Sequence, residues 1–293
     1  MTGIGTGLHS GMVEVAPGVR LHVVEAGPRD GPLVILLHGF PEFWYGWRRQ
    51  IGALAAGGFH VLAPDQRGYA ASDKPRGIGA YTADTLAADV LRLAERAGRA
   101  SFTLVGHDWG GVVAWWVALT APERVERLVI LNAPHPATMR GYALRHPTQA
   151  ARSWYVLAFQ PPVLPELVIR AGGFRLAERA LTGTSRPGTF TADDLARYRE
   201  AWARPGAMTA MLNWYRALRR RMDPPRGRLR MPVLILWGDR DRFLDRGLAE
   251  AAAAMCGDTR VVHLETATHW IQHEEAARVN EEIEAFLKGA AKT

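Results

Sequence analysis

Cysteine occurs once in the 293 residues, at Cys256. No disulfide framework and no cysteine-based zinc site can be built from it, and such usage fits a reducing compartment. Lysine is almost as scarce, at Lys74, Lys288 and Lys292 only, so nearly all of the 36 basic residues are arginine. The formal net charge of +7 therefore reads as an arginine-rich composition rather than a phosphate-tracking surface, and no nucleic-acid partner is expected. One cluster, Arg216, Arg219, Arg220, Arg221, Arg226, Arg228 and Arg230, reads as a solvated helix end followed by an exposed loop, MDPPRGRLRMP. No apolar run approaches the roughly 18 residues of a membrane span, so no membrane partner is expected. The opening MTGIGTGLHSG lacks the apolar core of a signal peptide, which points to a cytoplasmic location. What is present is ordinary for a globular protein: 48% hydrophobic and 22% charged residues, with 30 Gly and 18 Pro. That excludes collagen, disorder and coiled coil. A chain this long buries roughly 75% of its unfolded surface and needs no staple to hold a core.

The strand candidates follow one another regularly. RLHVVEAG alternates, as a half-buried antiparallel strand does. LVILLHG, HVLAPD, SFTLVGHD, RLVILNAP, PVLILWGD and RVVHLE are short, nearly continuous apolar runs, the pattern of strands covered on both faces. Helical stretches at 85–98, 110–123 and 274–289 lie between or after them. Strand–helix alternation of this kind predicts a mostly parallel, doubly wound α/β sheet. The rhythm stops between Asn132 and Pro232, where helical runs such as PTQAARSWYVLAFQ, LPELVIRAG and TADDLARYREAWARPG replace strands. The expected organisation is a core formed by 1–132 and 232–293 with an inserted helical lid at 133–231.

The strongest chemical signal is Gly106-His107-Asp108-Trp109-Gly110-Gly111, directly after the strand SFTLV and before the helix VVAWWVAL. Small residues on either side of a central polar residue allow a sharp strand-to-helix turn, the nucleophile elbow, that lifts the central side chain to the carboxyl end of the sheet. The helix N-terminus behind it supplies N–H groups and positive potential. An aspartate that merely caps a helix is the bland alternative, but strand, glycines and helix all fall in register. Esterases carry serine at the centre; here it is Asp108. A carboxylate is already charged at pH 7 and can attack a saturated carbon without a base, leaving an ester whose carbonyl belongs to the protein. A base is needed only to activate the water that hydrolyses this ester. Esters and amides are thereby disfavoured as substrates, and epoxides and alkyl halides become the candidates.

The remaining members of such a triad follow in the order acid, then histidine. His269 lies in the loop TATHWIQHE after the last strand, whereas His22 and His263 fall within strands and His273 begins a helix. The acid is Asp241 or Asp239, both at the end of PVLILWG; Asp241 is better placed to accept from the imidazole. The turn His38-Gly39-Phe40-Pro41 can aim the Phe40 N–H at the same point as the N–H of Trp109, forming an oxyanion hole.

With these motifs in hand, the sequence resembles the α/β-hydrolase superfamily, and within it the soluble-type epoxide hydrolases. The stretches that carry the resemblance are HGFPEFWYGWR (38–48), DQRGYAASDKP (65–75), VGHDWGG (105–111), LNWYR (212–216), WGDRD (237–241) and ATHWIQHE (267–274). It covers about residues 12 to 288. The resemblance implies an α/β-hydrolase fold with a helical lid and an epoxide substrate hydrolysed to a vicinal diol through an Asp108 ester. It also implies two lid tyrosines, Tyr155 and Tyr215, that assist ring opening, and a cis peptide between Phe40 and Pro41. No metal or organic cofactor is implied, nor an extra domain at either end. Ala70 departs from the pattern, standing where glycine is usual in the DQRGY turn. A homodimer is left open.

The competing chemistry is a haloalkane or haloacid dehalogenase using the same aspartate. Phe40 is apolar where haloalkane dehalogenases commonly place a polar halide ligand, and both tyrosine positions are filled. Haloacid substrates call for an arginine beside the nucleophile, where Trp109 stands. A non-catalytic scaffold predicts a degraded catalytic set, and none of it is missing. Phe40, Trp109, Phe159, Phe243 and Trp270 flank the catalytic candidates in sequence and are expected to line a mostly apolar substrate pocket.

Overall fold

The computed structural model describes residues 7–220 and 227–289. Eight strands form one sheet: β1 (His9–Ala16), β2 (Val19–Ala26), β3 (Leu33–Leu37), β4 (His60–Pro64), β5 (Phe102–His107), β6 (Val125–Leu131), β7 (Leu229–Gly238) and β8 (Cys256–Leu264). Their spatial order is β1-β2-β4-β3-β5-β6-β7-β8. The β1–β2 and β2–β4 pairs are antiparallel and all the others parallel. The doubly wound, mostly parallel sheet expected from the apolar runs is therefore present. β1 was not anticipated; most of its residues are exposed, so neither continuous nor alternating apolar patterning announces it.

The continuous runs have a simple cause. Ile35 and Leu37 of β3 point into one core and Val34 and Leu36 into the other, and β6 divides Leu128 and Ile130 from Val129 and Leu131 in the same way. Helices α1 (Arg48–Ala56) and α12 (Ala276–Leu287) cover one face through Ile51, Leu54, Val279 and Ile283. Helices α2 (Ala83–Arg96), α3 (Trp109–Thr120) and α10 (Gly247–Ala253) cover the other. α3 is apolar nearly all round and correspondingly buried. The final helix, expected over 274–289, runs as α12 from Ala276, and the single turn α11 (Ile271–Glu274) precedes it with Glu275 between them.

Between β6 and β7 lie only helices among the described residues: α4 (Pro136–Arg145), α5 (Pro147–Arg152), α6 (Trp154–Ala158), α7 (Leu164–Thr182), α8 (Ala192–Ala203) and α9 (Ala207–Ala217). The run PTQAARSWYVLAFQ splits into α5 and α6. α7 outlasts LPELVIRAG but is interrupted by non-helical backbone from Ala171 to Phe174, at Gly172 and Gly173. Thr191 starts α8 with a reciprocal capping box to Asp194.

The arginine cluster is corrected in one place. Arg216 is not part of a solvated helix end; it is buried and forms a bidentate pair with Glu166 at 2.7 and 2.9 Å. Arg219, Arg220, Arg228 and Arg230 are exposed, while Arg221 and Arg226 lie outside the described residues. Ala70, standing where glycine is usual, adopts a φ of 36°, a backbone conformation that favours glycine.

Candidate active site

Asp108 sits between β5 and α3 with φ 51° and ψ −120°, a conformation that a side chain other than glycine's adopts only under constraint. The glycines explain how the turn closes. A Cβ on Gly106 would meet the Gly110 backbone, and one on Gly110 would meet the carbonyls of Leu37 and His38. Strand β3, strand β5 and α3 approach each other too closely for any side chain there. Asp108 is thereby held at the carboxyl edge of the sheet, in the middle of the strand order.

The Phe40–Pro41 peptide is cis. The Phe40 N–H donates to Asp108 Oδ1 at 2.8 Å. Trp109 makes no corresponding bond: among the described residues, Phe40 is the sole main-chain donor to this carboxylate. His38 stands apart from the reaction centre, its Nε2 accepting from the Gln66 N–H at 3.0 Å.

His269, in the loop between β8 and α11, is buried, with its Nδ1 2.6 Å from Asp241 Oδ2 and its Nε2 3.6 Å from Asp108 Oδ2. Asp241 also accepts from Asn132 Nδ2 at 2.7 Å and from the N–H groups of Phe243 and Leu244 at 2.7 and 3.0 Å. With every other neighbour a donor to this carboxylate, the proton between the pair resides on His269 Nδ1. Asp239 is directed elsewhere, 2.6 Å from His263 Nδ1 and 3.6 Å from Arg246. Burial would raise the Asp241 carboxyl, but the His269 charge and these donors hold it below its ordinary value. Burial likewise opposes an imidazolium at His269, yet Asp241, then Asp108 and Glu42, outweigh it and push the group up to about 9.

Tyr155 comes from α6 and Tyr215 from α9. Their rings are 5.9 Å apart, and Tyr215 packs edge-on against Phe40 and Trp109 at 5.2 and 5.0 Å. Burial, and then the Asp108 charge, raise the Tyr155 phenol far above its ordinary value. Tyr215 is raised by burial, its phenol neighbour Tyr155 and Asp108. Both are therefore fixed as proton-bearing donors. Asp108, His269, Tyr155, Tyr215, Phe40, Phe159, Phe243 and Trp270 line one cavity of about 670 Å³. Trp109 does not line it; it lines a smaller cavity, about 270 Å³, that also reaches Asp108, Tyr155 and Tyr215.

Several residues of this site carry no signal in the sequence. Asn132, at the end of β6 with φ 40°, bonds Asp241 and accepts from the Gly238 N–H at 2.9 Å, tying two strand ends together. Beneath His269 lies a fully buried carboxylate, Glu42, accepting from Tyr198 at 2.6 Å, His273 Nε2 at 2.7 Å and Gln272 at 2.8 Å. His107 lies 3.2 Å from it and bonds the His269 carbonyl at 2.9 Å. Arg48 donates to His273 Nδ1 at 2.9 Å, so His273 is neutral and its single N–H, on Nε2, donates to Glu42. Burial alone would raise the Glu42 carboxyl; His273 and His107 hold it well below the usual carboxylate range. Glu42, His107 and His273 all fall inside the quoted motifs, but nothing in their spacing foretells a shared buried network.

Comparison with known proteins identifies the family and the fold. A family model described as the alpha/beta hydrolase fold matches residues 32–276, and the chain belongs to that family. Among similar proteins, the AB hydrolase superfamily protein YfhM of Bacillus subtilis is 46% identical over 272 residues, 92% of this chain and 95% of that one. Epoxide hydrolase 4 of Mus musculus is 37% identical, with 92% of this chain and 77% of that one covered. Among solved structures, an epoxide hydrolase from metagenomes of hot environments superposes with a TM-score of 0.86 at 35% identity, over 97% of this chain and 99% of that one. The Bacillus megaterium epoxide hydrolase, solved in complex with an inhibitor, gives 0.85 at 31%, over 95% and 100%.

Proposed function

We propose that this chain is an epoxide hydrolase that forms vicinal diols through a covalent ester on Asp108. The observation that carries the reading is a carboxylate at the elbow, facing a histidine–aspartate pair and sharing one cavity with two un-ionised phenols. Oδ1 of Asp108 is held by the Phe40 N–H, so Oδ2 attacks the epoxide carbon. The C–O bond breaks, and the leaving oxygen takes a proton from Tyr155 or Tyr215, which regains one from solvent. Water then adds to the ester carbonyl, giving its proton to His269 Nε2 while Asp241 holds the ring. The oxyanion forms on Oδ1 facing the Phe40 N–H, and collapse releases the diol as its oxygen recovers the proton from His269; the Asp108 carboxyl then gives its own proton to His269, which restores the carboxylate and the imidazolium. Phe159, Phe243 and Trp270, with Phe40, supply the apolar wall, Trp109 lines the adjoining smaller cavity, and residues 133–231 act as the lid.

The charge of His269 changes between the two steps. In the resting protein His269 is an imidazolium, its charge supported partly by Asp108. Esterification neutralises Asp108 and removes that support, so the imidazole can give up its proton when a base is needed. Single turnover in ¹⁸O-water tests the scheme. The label should enter the Asp108 carboxylate and be nearly absent from the first diol released; a fully labelled first diol would mean direct attack by water. Halide release from short haloalkanes, measured beside diol formation from styrene oxide, separates the reading from dehalogenation.

A further inference from the structure

The exposed large apolar side chains are not scattered over this molecule. Eight of ten fall between residues 144 and 176. Trp154 and Leu157 of α6 are 67% and 76% exposed. On the first half of α7, Leu164, Leu167 and Val168 recur at helical spacing opposite the buried Pro165, Glu166 and Ile169. Single exposed apolar residues are commonplace, but a concentration of this kind marks a contact surface.

Two further observations say what the surface meets. Exposed Trp154 and Leu176 line the 670 Å³ cavity together with Arg152, Arg179 and Arg242, so the apolar region adjoins the entrance to the candidate active site. Residues 140–180 also carry six arginines against two acids, Glu166 and Glu178. Both acids are taken by arginines from outside this stretch, Arg216 and Arg199. Among the described residues none of the six arginines pairs with a carboxylate, and all but the half-buried Arg152 are exposed.

We propose that this surface docks on anionic lipid bilayers, with the cavity entrance facing the lipid. Apolar tips beside uncompensated guanidinium groups match the acyl boundary and the phosphates of such a surface. A second copy docked about a twofold axis would set arginines against arginines. A rigid protein partner would cover the entrance, whereas a bilayer can deliver through it a lipophilic molecule already dissolved in the lipid. Among the described residues no helix is long and apolar enough to cross a membrane; lying on one requires no such helix. The docking is independent of the chemistry proposed above, and only the nature of the delivered substrate rests on that reading.

Co-sedimentation of the whole chain with phosphatidylcholine vesicles, with and without phosphatidylglycerol, tests the proposal directly and needs no turnover. Binding should require the anionic lipid and weaken with salt. Leu157→Asp combined with Leu167→Asp should lower the bound fraction about tenfold or more, and Arg170→Glu with Arg175→Glu should remove the preference for anionic lipid. None of these four residues lines the cavity, so turnover of a water-soluble epoxide should stay unchanged, which also reports that the variants fold. If the native chain ignores anionic vesicles, or the variants bind as well as it does, the proposal is wrong. It is equally overturned if light scattering finds a dimer that the double leucine variant converts to monomer, because a second copy then covers the face. Failure of these binding tests would leave the ester chemistry untouched.

Discussion

At the scale of single residues, the two steps of the proposed reaction ask for different groups. Carboxylate attack needs no base, so His269→Gln should still let Asp108 be alkylated while hydrolysis of the ester stalls. Intact-protein mass spectrometry should then find one added substrate. The loss of a general base in the second step is worth about a hundred- to ten-thousandfold in rate. Replacing both Tyr155 and Tyr215 by Phe should act earlier, leaving no adduct, because the departing oxygen loses its donors. A single Tyr→Phe should be milder than the pair, with each donor worth about 2.7–4 kcal/mol toward developing charge. An adduct that accumulates in the double Phe variant but not in His269→Gln would reverse these assignments.

At the scale of elements, the position of Tyr215 depends on how α9 is fastened. Its neighbour Arg216 bonds the Phe159 and Pro161 carbonyls at 3.0 and 2.7 Å and Glu166 of α7 through both terminal nitrogens. One buried guanidinium thus joins α9, the segment after α6 that follows Tyr155, and the start of α7. Glu166→Ala should leave that charge buried without its carboxylate, an imbalance that typically costs about 3–5 kcal/mol. Calorimetry should show a lower Tm, and kcat should fall as the two tyrosines lose their common support. A variant with native Tm and kcat would show that the backbone carbonyls alone hold α9.

At the scale of the whole molecule, the His269 charge links folding to pH. Its value in the folded protein, about 9, lies above the ordinary 6.5, so the proton is bound more tightly when the chain is folded. The resulting stability is fully present below pH 6.5 and is lost as pH rises through about 9. It amounts to about 3 kcal/mol at most. Denaturant unfolding of the native chain and of His269→Gln should therefore show a gap that is constant in weak acid and narrows between pH 6.5 and 9. A gap independent of pH would mean that His269 carries no such charge in the folded state.

Much of this protein was readable in the chain because its signals are local. Short, nearly continuous apolar runs must be covered on both faces, which dictated β3 and β4 and hence a doubly wound sheet. A glycine-flanked aspartate between strand and helix needs only its neighbours to make an elbow. The two-residue offset between Asp239 and Asp241 was different, since both end the same strand; only the placement of His263 beside one and His269 beside the other separates them. Arg216 read as solvent-facing because its acid lies fifty residues away, and Glu42, His107 and His273 read as unrelated because three separate segments bring them together. Trp109 and Trp270 both flank catalytic candidates in sequence, yet they line different cavities. The exposed apolar stretch on α6 and α7 reads in the sequence only as helical runs of the lid. Periodicity fixes that a helix has an apolar face, but whether that face is buried depends on what the rest of the chain leaves beside it, and that is decided only by the tertiary structure.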